Sequence, residues 1–131
     1  MSDKRSCETV KHESIKNRLR NSGTYSENVE KASKIFALLG DPNRMKIMLA
    51  LLEGELCVYH LCEITGGSQS ATSQHLRKLK DERMVKSRRE ANQILYSIAD
   101  DHVSLIIKTA LEHLKCFSCD KEGCNKCPLA K

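Results

Sequence analysis

A chain of 131 residues can build one modest core plus tails, and with two Phe, three Tyr and no Trp that core must be aliphatic. Runs such as "KIFALLG" and "SLII" are too short to span a bilayer, and the N-terminus has no apolar leader, so the sequence reads as cytoplasmic with no membrane partner. The net charge of +5 is uneven: residues 68–98 carry seven Lys/Arg against three acids, a local surplus that suits a polyanion partner.

Residues 1–25 are polar and read as an N-terminal arm with one short helix around "HESIKNRLR". Ser26 can cap a helix through "ENVEKASKIFALLG", with Val29, Ala32, Ile35, Phe36 and Leu39 on one face and Gly40 ending it. The next helix restarts at once: Asp41 is its cap, Pro42 its first-turn proline, and Met45, Ile47, Met48, Leu49, Leu51 and Leu52 its core residues, up to Gly54. A short helix over "CVYHLCEIT" breaks at Gly66–Gly67, and Ser68 caps the following "QSATSQHLRKLKDER". Short helix, glycine turn and capped second helix make a helix-turn-helix. "MVKSRRE" and "QILYSI" alternate about a turn at "EANQ", the pattern of a β-hairpin, or wing. "DDHVSLIIKTALEHLKC" then forms an amphipathic helix whose stripe is Val103, Ile106, Ile107, Ala110 and Leu114. The fold class is mainly α with a small β-hairpin, a winged helix-turn-helix. The domains are the arm (1–25), a DNA-binding and dimerisation domain (26–115) and a Cys-rich tail (116–131).

At about 100° per residue, Thr72, Leu76, Leu79 and, near the end, Arg83 fall on the inward side of the second helix of the motif. Ser70, Gln74, Arg77 and Lys78 fall opposite, with Ser73 on the border. Small hydroxyls, an amide and an arginine suit base edges and phosphates in a major groove. Lys86, Arg88, Arg89 and Gln93 of the wing would hold the flanking backbone of double-stranded DNA.

The segment from "LGDPNRMKIM" through "ELCVYHLC" and "SQSATSQHLRKL" to "QILYSI" resembles the ArsR/SmtB family of metal-responsive transcriptional repressors over roughly residues 30–115. The resemblance implies a homodimer, joined through its terminal helices, that binds operator DNA without metal and lets go when metal binds. Two departures stand out. "RREANQ" lacks the glycine usual in the wing turn, and "GG" replaces a more usual apolar residue before the recognition helix, which predicts a looser turn there.

Helix geometry constrains the metal ligands independently. His102 and His113 are eleven residues apart, nearly one face, but about 16 Å apart along the axis. One ion cannot reach both in one chain, since metal–nitrogen bonds are only about 2 Å long. Asp100 with His102 is one half-site, and His113 with Cys116 is another. Two such helices packed antiparallel in a dimer would complete two sites, with the apolar stripe as their seam. The family's zinc site has the same Asp-x-His-x10-His spacing. It usually ends in a carboxylate or imidazole where Cys116 stands here, and a thiolate shifts preference from Zn(II) toward Cd(II).

Seven cysteines in a reducing compartment favour metal or thiol chemistry over disulfides. The resemblance places Cys57 and Cys62 where relatives sensing arsenite, cadmium or lead carry a thiol cluster, and Cys7 where an N-terminal thiol can join it. Tyr59 replaces the usual second cysteine of that cluster. A second site for Pb(II) or As(III) and two small buried core residues are both open readings. The tail runs C-x2-C-x4-C-x2-C, so Cys119, Cys124 and Cys127 form a candidate metal cluster that competes with the dimer site for Cys116. The expected function is therefore a metal-sensing repressor released by Zn(II) or Cd(II). A thiol-based redox or arsenite-responsive repressor on the same scaffold is the alternative. No nucleophile elbow or phosphate loop points to an enzyme.

Overall fold

The computed structural model describes residues 9–22 and 25–117, with side chains described for 11–22 and 25–115. The chain divides at Ala37–Leu38 into two units. In the first, α1 (Thr9–Asn21) is longer than the short helix expected, and its described side chains are exposed. Most of α2 (Tyr25–Leu39) follows. Its apolar face is largely open: Leu39 is buried and Ile35 half-buried, but Val29 is exposed and Phe36 is 63% exposed.

The second unit carries the core. Asp41 caps α3 (Pro42–Leu51), its Oδ1 accepting the Asn43 N–H at 2.8 Å and the Arg44 N–H at 3.3 Å. Because Pro42 lacks an N–H, it costs the first turn nothing. Ile47, Met48, Ala50 and Leu51 are buried, while Met45, Leu49 and Leu52 are half-buried. Leu61 of α4 (Val58–Thr65) and Leu76 and Leu79 of α5 (Gln69–Asp81) are also buried. Full burial of each large aliphatic side chain stabilises by about 1.5–3 kcal/mol.

The expected two-stranded wing is a three-stranded antiparallel sheet. β2 (Val85–Glu90) and β3 (Gln93–Ile98) form the hairpin, and β1 (Leu56–Cys57) adds to the other side of β3. Leu56 pairs with Tyr96 and Cys57 with Leu95. Cys57 is thus extended (φ −85°, ψ 167°) and stands at the cap of α4 rather than inside a helix. Two residues are too few for alternation to reveal a strand.

The turn between α4 and α5 is not loose. Gly66 takes a left-handed φ of 77° and its N–H bonds to the Cys62 carbonyl at 2.8 Å, closing α4. Ser68 Oγ accepts the Ala71 N–H at 3.1 Å, opening α5. At the far end of α5 the inward assignment of Arg83 is corrected. Arg83 has φ 58° and is exposed, and this left-handed residue swings Met84 into the core, its N–H bonding to the Leu79 carbonyl at 2.8 Å.

Asp100 Oδ1 accepts the Val103 N–H at 3.0 Å and so caps α6 (Asp101–Phe117). Its apolar stripe divides in two. Val103 and Ile107 are buried in the chain's own core, whereas Ala110 is exposed and Leu114 is 63% exposed. The reading of the whole stripe as a seam is corrected accordingly: only its C-terminal half is left for a partner. Among the described residues, no helix is long and apolar enough to cross a membrane.

Candidate functional site

The outward face of α5 is set by its inward one. Thr72, Leu76 and Leu79 are buried, which leaves Ser70, Ser73, Gln74, Arg77 and Lys78 exposed, as the helical spacing requires. α5 is fastened to the wing at its C-terminal end. Lys80 Nζ donates to Ser87 Oγ at 2.7 Å, and the Ala99 N–H bonds to the Met84 carbonyl at 3.1 Å. Helix and hairpin therefore present their polar groups as one body.

The wing side chains follow the register. Val85, Ser87 and Arg89 alternate with Lys86, Arg88 and Glu90, so the two sets leave opposite faces of β2. Lys86, Arg89 and Gln93 are exposed. Glu90 pairs with Gln93, making Ala91–Asn92 a two-residue loop, and Ala91 adopts φ 53° where a glycine is favoured. The missing wing glycine is thus met by a left-handed alanine.

Arg88, expected at the DNA backbone, is engaged within the protein. Its Nε donates to Glu55 Oε2 at 2.7 Å, and its Nη2 donates to Glu55 Oε1 at 3.1 Å and to Glu90 Oε2 at 3.0 Å. The hydrogen bond from Arg88 holds the Glu55 carboxyl below its ordinary range, and the same bond raises the guanidinium. Glu55 lies 33 residues from Arg88, so no local sequence signal joins them. The Lys80–Ser87 bond escaped the sequence reading too, although its separation of seven residues is short.

Of the four expected metal ligands, Asp100 and His102 stand at the start of α6 and His113 and Cys116 lie near its other end. Asp100 Oδ1 and His102 Nδ1 are 3.7 Å apart at the start of α6, and the His102 side chain is 92% exposed. Oxygen and nitrogen at that separation fit the bite of a single ion with bonds of about 2 Å. His113 is exposed on the last turns of the same continuous helix. Cys116 lies within the helix span, but its side chain falls outside the described set. Among the described residues of one chain, no three His, Cys, Asp or Glu groups converge on a common point.

Of the thiols, Cys57 is buried and Cys62 half-buried. Cys57 Sγ lies 3.1 Å from His60 Nδ1, and the Tyr59 ring meets His60 edge-on at 5.6 Å. A hydrogen bond to Glu63 raises the Tyr59 hydroxyl above its usual value. Cys7 and the tail residues Cys119, Cys124 and Cys127 lie outside the described residues.

Residues 41–87, which run from the cap of α3 into β2, match the family described as bacterial regulatory protein, arsR family. A cadmium resistance transcriptional regulatory protein CadC homolog from Staphylococcus aureus is 38% identical over 109 residues, 82% of this chain and 89% of that protein. The chain belongs to the ArsR/SmtB family of transcriptional regulators. A transcriptional repressor SmtB homolog from Synechocystis sp. is 37% identical over 89 residues, 68% of this ArsR/SmtB regulator and 67% of the relative. Among solved structures, a homodimeric winged helix-turn-helix DNA-binding domain of a possible ArsR-family regulator from Mycobacterium bovis aligns with a TM-score of 0.64. It is 27% identical and covers 72% of this chain and 92% of that one.

Proposed function

We propose that this regulator is a cytoplasmic, homodimeric, metal-sensing repressor that holds operator DNA and lets go when Zn(II), or a softer ion such as Cd(II), binds. Ser70, Ser73, Gln74, Arg77 and Lys78 read and grip the duplex, with Lys86, Arg89 and Gln93 at its flanks. Each metal site joins Asp100 and His102 of one protomer to His113 and Cys116 of its partner.

One observation carries the metal reading: Asp100 and His102 are within one ion's bite at the start of α6, while His113 stands about 16 Å further along the same helix. A chain so built owns two half-sites and needs a second copy to close either. The open half of the α6 stripe around Leu114 gives that copy an apolar surface. The homodimeric relative and the cadmium and SmtB relatives support the same assembly and effector class. Linkage supplies the switch: an ion that binds the DNA-free form more tightly must weaken operator affinity by the same factor.

The second reading, a thiol-directed response to arsenite, Pb(II) or oxidants, is favoured by the 3.1 Å contact of Cys57 with His60. Titrating operator-bound protein with Zn(II), Cd(II), Pb(II) and arsenite, in strong reductant and without it, separates the two. Release by Zn(II) or Cd(II) that disappears in both His102→Ala and His113→Ala is the expected result. Release that persists in both variants moves the sensor to Cys57 and Cys62.

A further inference from the structure

We propose that Glu55 withholds Arg88 from the DNA backbone, and so acts as a specificity-determining residue that holds down sequence-independent binding. The proposal rests on the DNA-binding reading above and refines it.

The geometry is that of a closed clamp. All three N–H groups on the Nε side of the Arg88 guanidinium are directed at carboxylates: two at Glu55, at 2.7 and 3.1 Å, and one at Glu90, at 3.0 Å. A planar fork met by a carboxylate in this two-point fashion is the strongest common arrangement of the pair. The clamp also spans the whole sheet. Register puts Arg88 opposite Leu95 and Leu95 opposite Cys57, and Glu55 directly precedes β1. Glu55 thus reaches over the central strand from beyond its far neighbour.

Charge follows the same division. Lys86, Arg88 and Glu90 leave one face of β2, and with Glu55 they make a group of two cations and two anions, neutral in sum. A cleft of about 370 Å³ opens beside them, lined by Glu55, Lys86, Ser87, Arg88, Ser97 and Ile98. A phosphate entering it meets Arg88 only alongside two carboxylates. Arg89 leaves the other face, the one that Ser87 shares with Lys80 of α5. Among the described residues, Arg77, Lys78, Lys86 and Arg89 form no ion pair, so Arg88 is the cation of this surface that carboxylates hold.

Each backbone phosphate neutralised by a protein cation adds about 0.9 to the steepness of log affinity against log salt on duplex DNA. Glu55→Gln, Arg88→Gln and the double variant would be measured on a random-sequence duplex between about 50 and 200 mM salt, with thermal melting checked in each. Glu55→Gln is expected to steepen the slope by about one, so that it loses about 3.5-fold more affinity across that range than the parent. Arg88→Gln should leave the parental slope unchanged, yet remove the added slope in the Glu55→Gln background. If Arg88→Gln flattens the slope by about one in the parent as well, or if Glu55→Gln changes nothing, the proposal is overturned. Those outcomes leave the DNA-binding reading intact. Parent protein that fails to bind duplex at all sinks both.

Discussion

Complementation between two inactive variants tests the cross-chain metal site most directly. His102→Ala destroys the half-site at the start of α6 and His113→Ala the half-site near its end, about 16 Å away on the same helix. If each ion is held by one half from each protomer, either variant alone forms homodimers with no complete site. In a mixed dimer one site loses both histidines, but the other receives an intact Asp100–His102 half from one chain and an intact His113–Cys116 half from the other. Random re-pairing of an equimolar mixture makes half of the dimers mixed, each with one working site. The mixture should therefore regain about a quarter of the parental stoichiometry, by the chain separation that the helix rise imposes. Equilibrium dialysis against Zn(II) or Co(II), after dissociation and re-pairing of the mixed variants, reads that number. Ion bound by each variant alone measures the cysteine sites outside α6, and a mixture that binds no more than the average of the two variants would mean that the ligands do not pair across chains.

Other predictions concern the DNA face, the wing tip and the first cap of the core. Arg77→Ala should lose about 1–3 kcal/mol of discrimination between operator and random duplex, measured by competition, with little change in melting. Ala91→Gly should stabilise the protein by roughly 0.5–1 kcal/mol in urea unfolding: the left-handed alanine at φ 53° carries a penalty of about 1–2 kcal/mol, partly offset by glycine's greater freedom when unfolded. Asp41 has its carboxyl lowered from 3.8, chiefly by the Asn43 N–H, so its cap contributes fully above that value and is lost as pH falls through the lower folded one. Asp41→Asn, still a good cap, should remove that acid loss, seen as a shallower decline of the unfolding midpoint below about pH 4.

Much of this fold can be read from local chemistry. Asp41 followed by Pro42, Gly66 before Ser68, and the alternation of Val85, Ser87 and Tyr96 each act within a few residues, so spacing alone locates α3, the helix-turn-helix and the hairpin. The exposed face of α5 follows because Thr72, Leu76 and Leu79 must go inward. What escaped was made by distant partners. β1 exists because β3 offers Leu56 and Cys57 a free edge, and the Arg88 clamp exists because the sheet brings Glu55 across β3. Arg83 was misplaced since helical phase was extended past Asp81, where a left-handed residue resets it.

The α6 stripe explains why a correct period can still mislead about function. Periodicity fixes which side chains share a face, but not which neighbour covers them. Val103 and Ile107 belong to the chain's own core, so the start of α6, from which the exposed Asp100 and His102 side chains project, is packed against the winged domain. Ala110 and Leu114 continue the same line into the open, carrying His113 with them. On the proposed metal reading, one half-site is thus anchored to the DNA-binding unit and the other to the surface offered to a partner. An ion that joins an anchored half to a partner's outer half fixes the position of one protomer's wing and recognition helix relative to the other's. Spacing between two recognition helices is what a two-fold operator measures, so a site split in this way bears on DNA affinity without touching the DNA face.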